Sequence, residues 1–177
     1  MSLWTPPRTW SVGEKVRAAF LNAIRDQLLY LHGPPRLALR RTEDLTLTPG
    51  DHVVVPWDTP LVDDGGWWDP GSPEVAVVPE DGYFGIWYST LFDTNTDGDR
   101  QTRIVRDGDE LRGMRNPATT HSEWTLSVAT NVEQGTPLTF DARSTAPDPV
   151  ELLSRTSPTT RSPVVVAIRL APPLPGA

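Results

Sequence analysis

GYFGIWYSTLF, residues 82–92, alternates at strand spacing and is apolar on both faces. Phe84, Ile86, Tyr88 and Phe92 fall on one face; Tyr83, Trp87 and Leu91 fall on the other. A period of two assigns a β-strand. A strand with two apolar faces is normally covered on both. In a two-layer sandwich the second layer covers the inner face only. The outer face then needs another subunit, which makes Tyr83, Trp87 and Leu91 candidate interface residues, or a loop of the same chain folded over it.

The strand pattern continues on either side. RLALRR (36–41), DLTL (44–47), HVVV (52–55) and EVAVV (74–78) precede it. RQTRIVR (100–106), ELRGMR (110–115), SEWTLSVAT (122–130), TPLTFDA (136–142), PVELL (149–153) and SPVVVAIRL (162–170) follow. Asp107-Gly108 between two of these is a two-residue hairpin signal. In 122–130, Trp124, Leu126 and Val128 face one way and Glu123, Thr125 and Ser127 the other, the mark of a strand wet on one side. Short strands separated by Pro, Gly and Asp predict an all-β sandwich of about ten strands. No internal repeat is present.

Ahead of this body the language changes. Ser11 and Glu14 stand at capping-box spacing, and Gly33 with Pro34-Pro35 closes the helix they open. Val12, Val16, Phe20, Ala23, Ile24, Leu28 and Leu31 share one broad face. Such a rod of about 19 residues and about 28 Å is marginal alone in water. It needs a partner: the same helix of other subunits, a host surface, or the chain's own head. Residues 1–10 read as an extended arm, because Pro6 and Pro7 exclude a helix interior. Trp4 and Trp10 on that arm either pack back on the helix or insert into a partner. The predicted division is therefore 1–35, arm and docking helix, and 36–177, head.

Charge divides at the same place. Residues 1–41 carry seven Arg/Lys against two acids, and the remainder nine against twenty-one, within a net charge of −7. An acidic head argues against nucleic acid as its partner. The basic Arg8, Lys15, Arg17 and Arg25 mark the docking end, or are ordinary charges on a solvated helix. The chain has no Cys, so neither disulfides nor thiolate metal sites are expected. No stretch is long and apolar enough for a bilayer, and MSLWTPPRTW lacks the pattern of a signal peptide.

Candidate chemistry is sparse. Asp93, Asn95, Asp97 and Asp99 place oxygen ligands at alternate positions around Gly98, which suits calcium. The bidentate Glu of a calcium loop is replaced by Ile104, and a plain β-connection uses the same residue types. Trp67 and Trp68, in a Gly-rich loop, could stack on a sugar ring or cap the β core. His32, His52 and His121 lie far apart and form no metal-spaced pair. The carboxylates Asp63-Asp64 and Asp107/Asp109 sit among turn formers, unlike a glycosidase pair. No nucleophile elbow, zinc helix or phosphate loop is found. No enzyme activity is expected, and no cofactor apart from that candidate calcium.

PEDGYFGIW (79–87), the Asp107–Leu111 hairpin and NVEQGTPLTFDA (131–142) resemble, in this order, the jelly roll shared by tumour necrosis factor and the globular head of the first complement component. The family's Gly-x-aromatic-x-aromatic strand is matched by Gly82, Phe84 and Ile86, with Ile replacing the second aromatic. Its Gly-Asp turn is met by Gly135-Thr136, without the Asp. The resemblance covers about residues 36–172 and implies a jelly roll assembling as a homotrimer. PRTWSVGEKVRAAFLNAIRDQLLYL is similar to a leader of structural proteins of tailed bacteriophages, through Trp10, Gly13-Glu14 and Leu21-Asn22-Ala23-Ile24-Arg25-Asp26. Together the two imply a virion-surface protein, a capsid decoration or head fibre fixed to the major capsid or tail protein. The alternative is a tail-associated module that binds a host glycan.

Overall fold

The computed structural model describes residues 33–93, 97–117, 122–154 and 163–171, together with Leu21, Asn22, Ile24, Arg25 and Leu28. Those five are helical. The expected arm, with Trp4, Arg8 and Trp10, and the helix positions Lys15, Val16, Arg17, Phe20, Ala23 and Leu31 lie outside the described residues.

The body is a jelly-roll sandwich of two antiparallel sheets. A seven-stranded sheet runs β2 (Leu45–Leu47), β11 (Val150–Leu152), β6 (Gly82–Phe92), β12 (Val164–Ala171), β1 (Arg36–Arg40), β4 (Thr59–Asp63), with β9 (Ser122–Val132) also on β6. A five-stranded sheet runs β3 (Val53–Val54), β10 (Pro137–Ser144), β7 (Asp99–Arg106), β8 (Asp109–Pro117), with β5 (Ala76–Val77) also on β10. Strand β6 is paired over its whole length with β9, from Gly82↔Val132 to Phe92↔Ser122. Its other edge takes β12, from Tyr83 to Ser89, and then β11 at Phe92. Both edges of β6 are thus paired within the sheet, and only its outer face remains to be covered.

Among the described residues the strands number twelve, where the sequence predicts about ten. The strand not expected is β4, TPLVD. Pro60 breaks the run, and a proline, having no N–H to give, is tolerated at a sheet edge; β4 is an edge strand. The Asp107-Gly108 hairpin is present, with φ of 48° and 85°, the two positive values that a type I′ turn requires.

Phe84, Ile86, Tyr88 and Phe92 are buried between the sheets, as the alternation predicts. Trp57, from the loop between β3 and β4, clamps the layers. Its ring stands edge-on to Tyr88 of one sheet, at 6.1 Å, and to Phe140 of the other, at 5.9 Å. Edge-to-face pairs add about 0.5–1.5 kcal/mol each beyond the area they bury.

Strand β12 also sends a charge inward. The buried Arg169 guanidinium pairs with Glu80 at 3.2 Å. Room for its stem comes from Gly82, where a Cβ would lie 2.4 Å from Arg169 Nε. The glycine of the Gly-x-aromatic pattern is thus the floor under a buried arginine. Gly82→Ala is expected to lower stability by about 2–4 kcal/mol, since Arg169 can move only by leaving Glu80 inside the protein. Chemical denaturation of the two proteins measures it, and equal midpoints would overturn the assignment.

The outer face of the five-stranded sheet is charged and largely self-paired. Arg103 on β7 forms an ion pair with the buried Asp141 on β10. Glu110 reaches Arg103 from β8 at 3.9 Å, and Arg143 donates to Gln101 Oε1 at 3.4 Å. His52 sits beside this group. Burial pushes its pKa below the ordinary value, and Arg103 and Arg143 push the same way against Asp141 and Glu110. A histidine depressed in the fold contributes stability above its unfolded pKa of about 6.5, and that contribution is lost as pH falls below it. The melting temperature of the native chain should therefore drop more between pH 7 and pH 5 than that of His52→Gln, with no difference in slope above pH 7. Parallel curves across both ranges would rule this out.

Candidate subunit interface

The outer face of the seven-stranded sheet has the opposite character. Alternation along β6 turns Tyr83, Gly85, Trp87, Ser89 and Leu91 away from the core. The registers place Val166 of β12 beside Trp87, Val164 beside Ser89 and Ile168 beside Gly85. Ala38 of β1 follows Val166, and Val62 of β4 follows Ala38. Leu61, Trp87 and Leu170 are exposed. The result is an apolar band crossing four neighbouring strands, larger in kind than the scattered exposed Leu or Val of an ordinary surface.

Trp87 is the centre of that band and is 37 % exposed. Its ring lies down on the sheet instead of standing out. A Cβ on Gly85 would meet the ring at 2.7 Å and Leu170 at 3.2 Å, so Gly85 makes the shallow bed in which the indole rests. A glycine inside a strand often marks such a close approach. The rim is polar. Ser89 and Thr125 share a hydroxyl hydrogen bond of 2.8 Å, and Arg36 pairs with Asp64 at 2.9 Å. Glu123, across from Leu91, is exposed. A dry centre with a polar rim is the anatomy of a protein interface. The structure thus brings Tyr83, Trp87 and Leu91 to one face and adds Val164 and Val166 of β12, whose outward parity is legible in VVVAIRL. The covering loop weighed in the sequence is not found among the described residues.

The other sequence candidates fall elsewhere. Trp67 is 1 % exposed and edge-on to Phe84 at 5.3 Å. Asp63 captures the loop by accepting from Trp67 N at 2.8 Å and Trp68 N at 3.3 Å. Trp68 packs against the core, and its indole N–H donates to Pro73 O at 3.3 Å. Trp67 therefore offers no free ring face for a sugar, and of the two readings open in the sequence the packing favours a cap on one end of the core.

The acidic connection 93–99 already has its cation. Arg100, buried, donates to Asp97 O at 2.8 Å and Ser144 Oγ at 2.9 Å, with its guanidinium carbon 5.9 Å from the Phe92 ring centre. Burial pulls its pKa down, while Asp93, Asp97 and Asp99 push it back up. Asp99 Oδ2 also accepts from Arg115 Nη2 at 2.6 Å, and Asp93 Oδ2 from Glu151 N at 3.4 Å. Asn95 lies outside the described residues. Among the described residues no cluster of three or more acids or histidines is placed to hold a metal ion. Nothing in the residue pattern marks Arg100 as turned inward, because a strand arginine is normally solvated.

Neither a family model nor a curated protein matches the sequence. Among solved structures, the chain is similar to murine APRIL at 15% identity and a TM-score of 0.57, over 77% of this chain and 98% of that one. It is similar to the Eiger TNF of S. frugiperda at 11% identity and a TM-score of 0.55, over 81% and 96%. The globular domain of zebrafish complement 1qA protein gives 9% identity and a TM-score of 0.50, over 78% and 98%. At such identities the likeness is one of fold: the body has the jelly-roll architecture of tumour-necrosis-factor and complement-head domains.

Proposed function

We propose that this chain is a non-enzymatic structural protein of a tailed-phage virion. In this reading its heads join as a homotrimer through the outer face of the seven-stranded sheet, and residues 1–35 fix the trimer to the major capsid or tail protein. The observation that carries the assembly is the apolar band centred on Trp87, which a monomer would leave in water. The jelly-roll fold, shared with proteins of the family to which the sequence bears a resemblance, supports a trimer over other closed rings. The virion role and surface location rest on the phage-like leader, Trp10, Gly13-Glu14 and Leu21–Asp26. The mechanism is avidity: three weak arms on one trimer hold far more tightly than one, where the geometry lets all engage.

Light scattering behind a sizing column tests the assembly. The native chain is expected at three times its monomer mass of 19.6 kDa. Trp87→Arg, which buries an unpaired charge at the centre of the interface, should raise the dissociation constant by at least about a hundredfold, the scale of an interfacial hot spot, and give monomers at micromolar concentration. A trimer unmoved by Trp87→Arg would rule out this face. Binding of the chain to particles lacking it, lost on deletion of residues 1–32, tests the anchoring.

A further inference from the structure

Leu21, Ile24 and Leu28 are helical and stand 56%, 37% and 61% exposed. At about 100° per residue the three point within an arc of about 60°. Their spacing of three and then four residues is that of successive seam positions in a coiled coil, and Leu31 takes the next one in sequence. We propose that this face packs against the same face of the two other copies, so that a short three-helix bundle forms at one end of the head trimer. The proposal rests on the trimeric reading above and names its partner as the identical helix.

The way the helix joins the head carries the argument. Pro35 O accepts from Arg169 N at 3.2 Å, which pins the connection to the end of β12. Arg36 then opens β1, the neighbour of β12 in the sheet that bears the apolar band. Seven residue steps lead from Leu28 to Pro35 at that pin, a reach of at most about 25 Å. The sheet itself is about 25 Å across, at about 4.8 Å per strand. A closed ring built through this face brings three equivalent Pro35 residues around one axis, at the same end of each head. Three helices on tethers that short are held at millimolar effective concentration. A seam too short to hold in isolated peptides can close under that constraint. Docking to a particle is then left to the arm and to the polar side of the helix.

The absence of Cys from the chain permits a direct test in the full-length protein. Ile24→Cys and Leu28→Cys place a thiol in the seam, and Asn22→Cys places one on the opposite side. Under mild oxidation at low micromolar protein, both seam variants are expected to form covalent dimers at least about tenfold faster than Asn22→Cys, at a rate independent of protein concentration. Adding Trp87→Arg to Leu28→Cys should abolish that advantage. A native chain that scatters as a trimer while all three thiols cross-link equally, or only in proportion to concentration, overturns the bundle and leaves the head interface standing. A monomeric native chain removes both.

Discussion

Strand β6 is hydrogen-bonded along both edges and carries large apolar side chains on both faces. The rest of the molecule is arranged around these demands. Toward the inside, Phe84, Ile86, Tyr88 and Phe92 meet the second sheet, and Trp57 bridges Tyr88 to Phe140. Toward the outside, Tyr83, Trp87 and Leu91 form part of the apolar band, with Trp87 exposed at its centre. Two sheets pack about 10 Å apart and cover one face each. A sandwich has no third layer to give, which is why the proposed assembly uses this face.

The two outer faces answer water differently. On the five-stranded sheet Arg103 pairs with Asp141 and Glu110, and Arg143 with Gln101. Such a surface gains little from a partner, because any charge it buried would have to be desolvated again. On the seven-stranded sheet the band from Leu91 to Val62 has almost nothing to desolvate. Burial there contributes about 25 cal/mol per Å² of apolar area. The sandwich is thus polarised: one sheet is fit for solvent and the other for assembly.

Much of this was legible in the sequence, and for identifiable reasons. The limits 82–92 match β6 to the residue, since a central strand with no Pro has an unbroken period. Strands β1, β2 and β7 to β12 fall within two residues of their expected limits. Strand β4 was hidden by Pro60, which is tolerated because the strand is an edge. The sequence left Trp67 open between two readings and did not single out Arg100, because period says which way a side chain points along a strand, and neither outcome depends on that. Trp67 is drawn in by a loop that Asp63 captures, and Arg100 by an acidic connection that it neutralises across the β7 start. Both are contacts between residues brought together by the turn rather than by the strand.

The charge division acquires a physical sense in this frame. The acidic excess lies beyond residue 41 and the basic excess before it. In the proposed trimer, heads meeting through a nearly uncharged band would avoid placing like charges against each other at contact distance. Away from the band their net negative charge keeps one assembled head from associating with the next. The repulsion falls off over about 8 Å at physiological salt, so it limits close stacking of finished heads without opposing the contact that forms them. In that proposed assembly residues 1–35, with Arg8, Lys15, Arg17 and Arg25 against Glu14 and Asp26, supply the opposite sign. A trimer acidic over its heads and basic at its N-terminal segments would approach an acidic surface with those segments first, the orientation in which three arms could engage together.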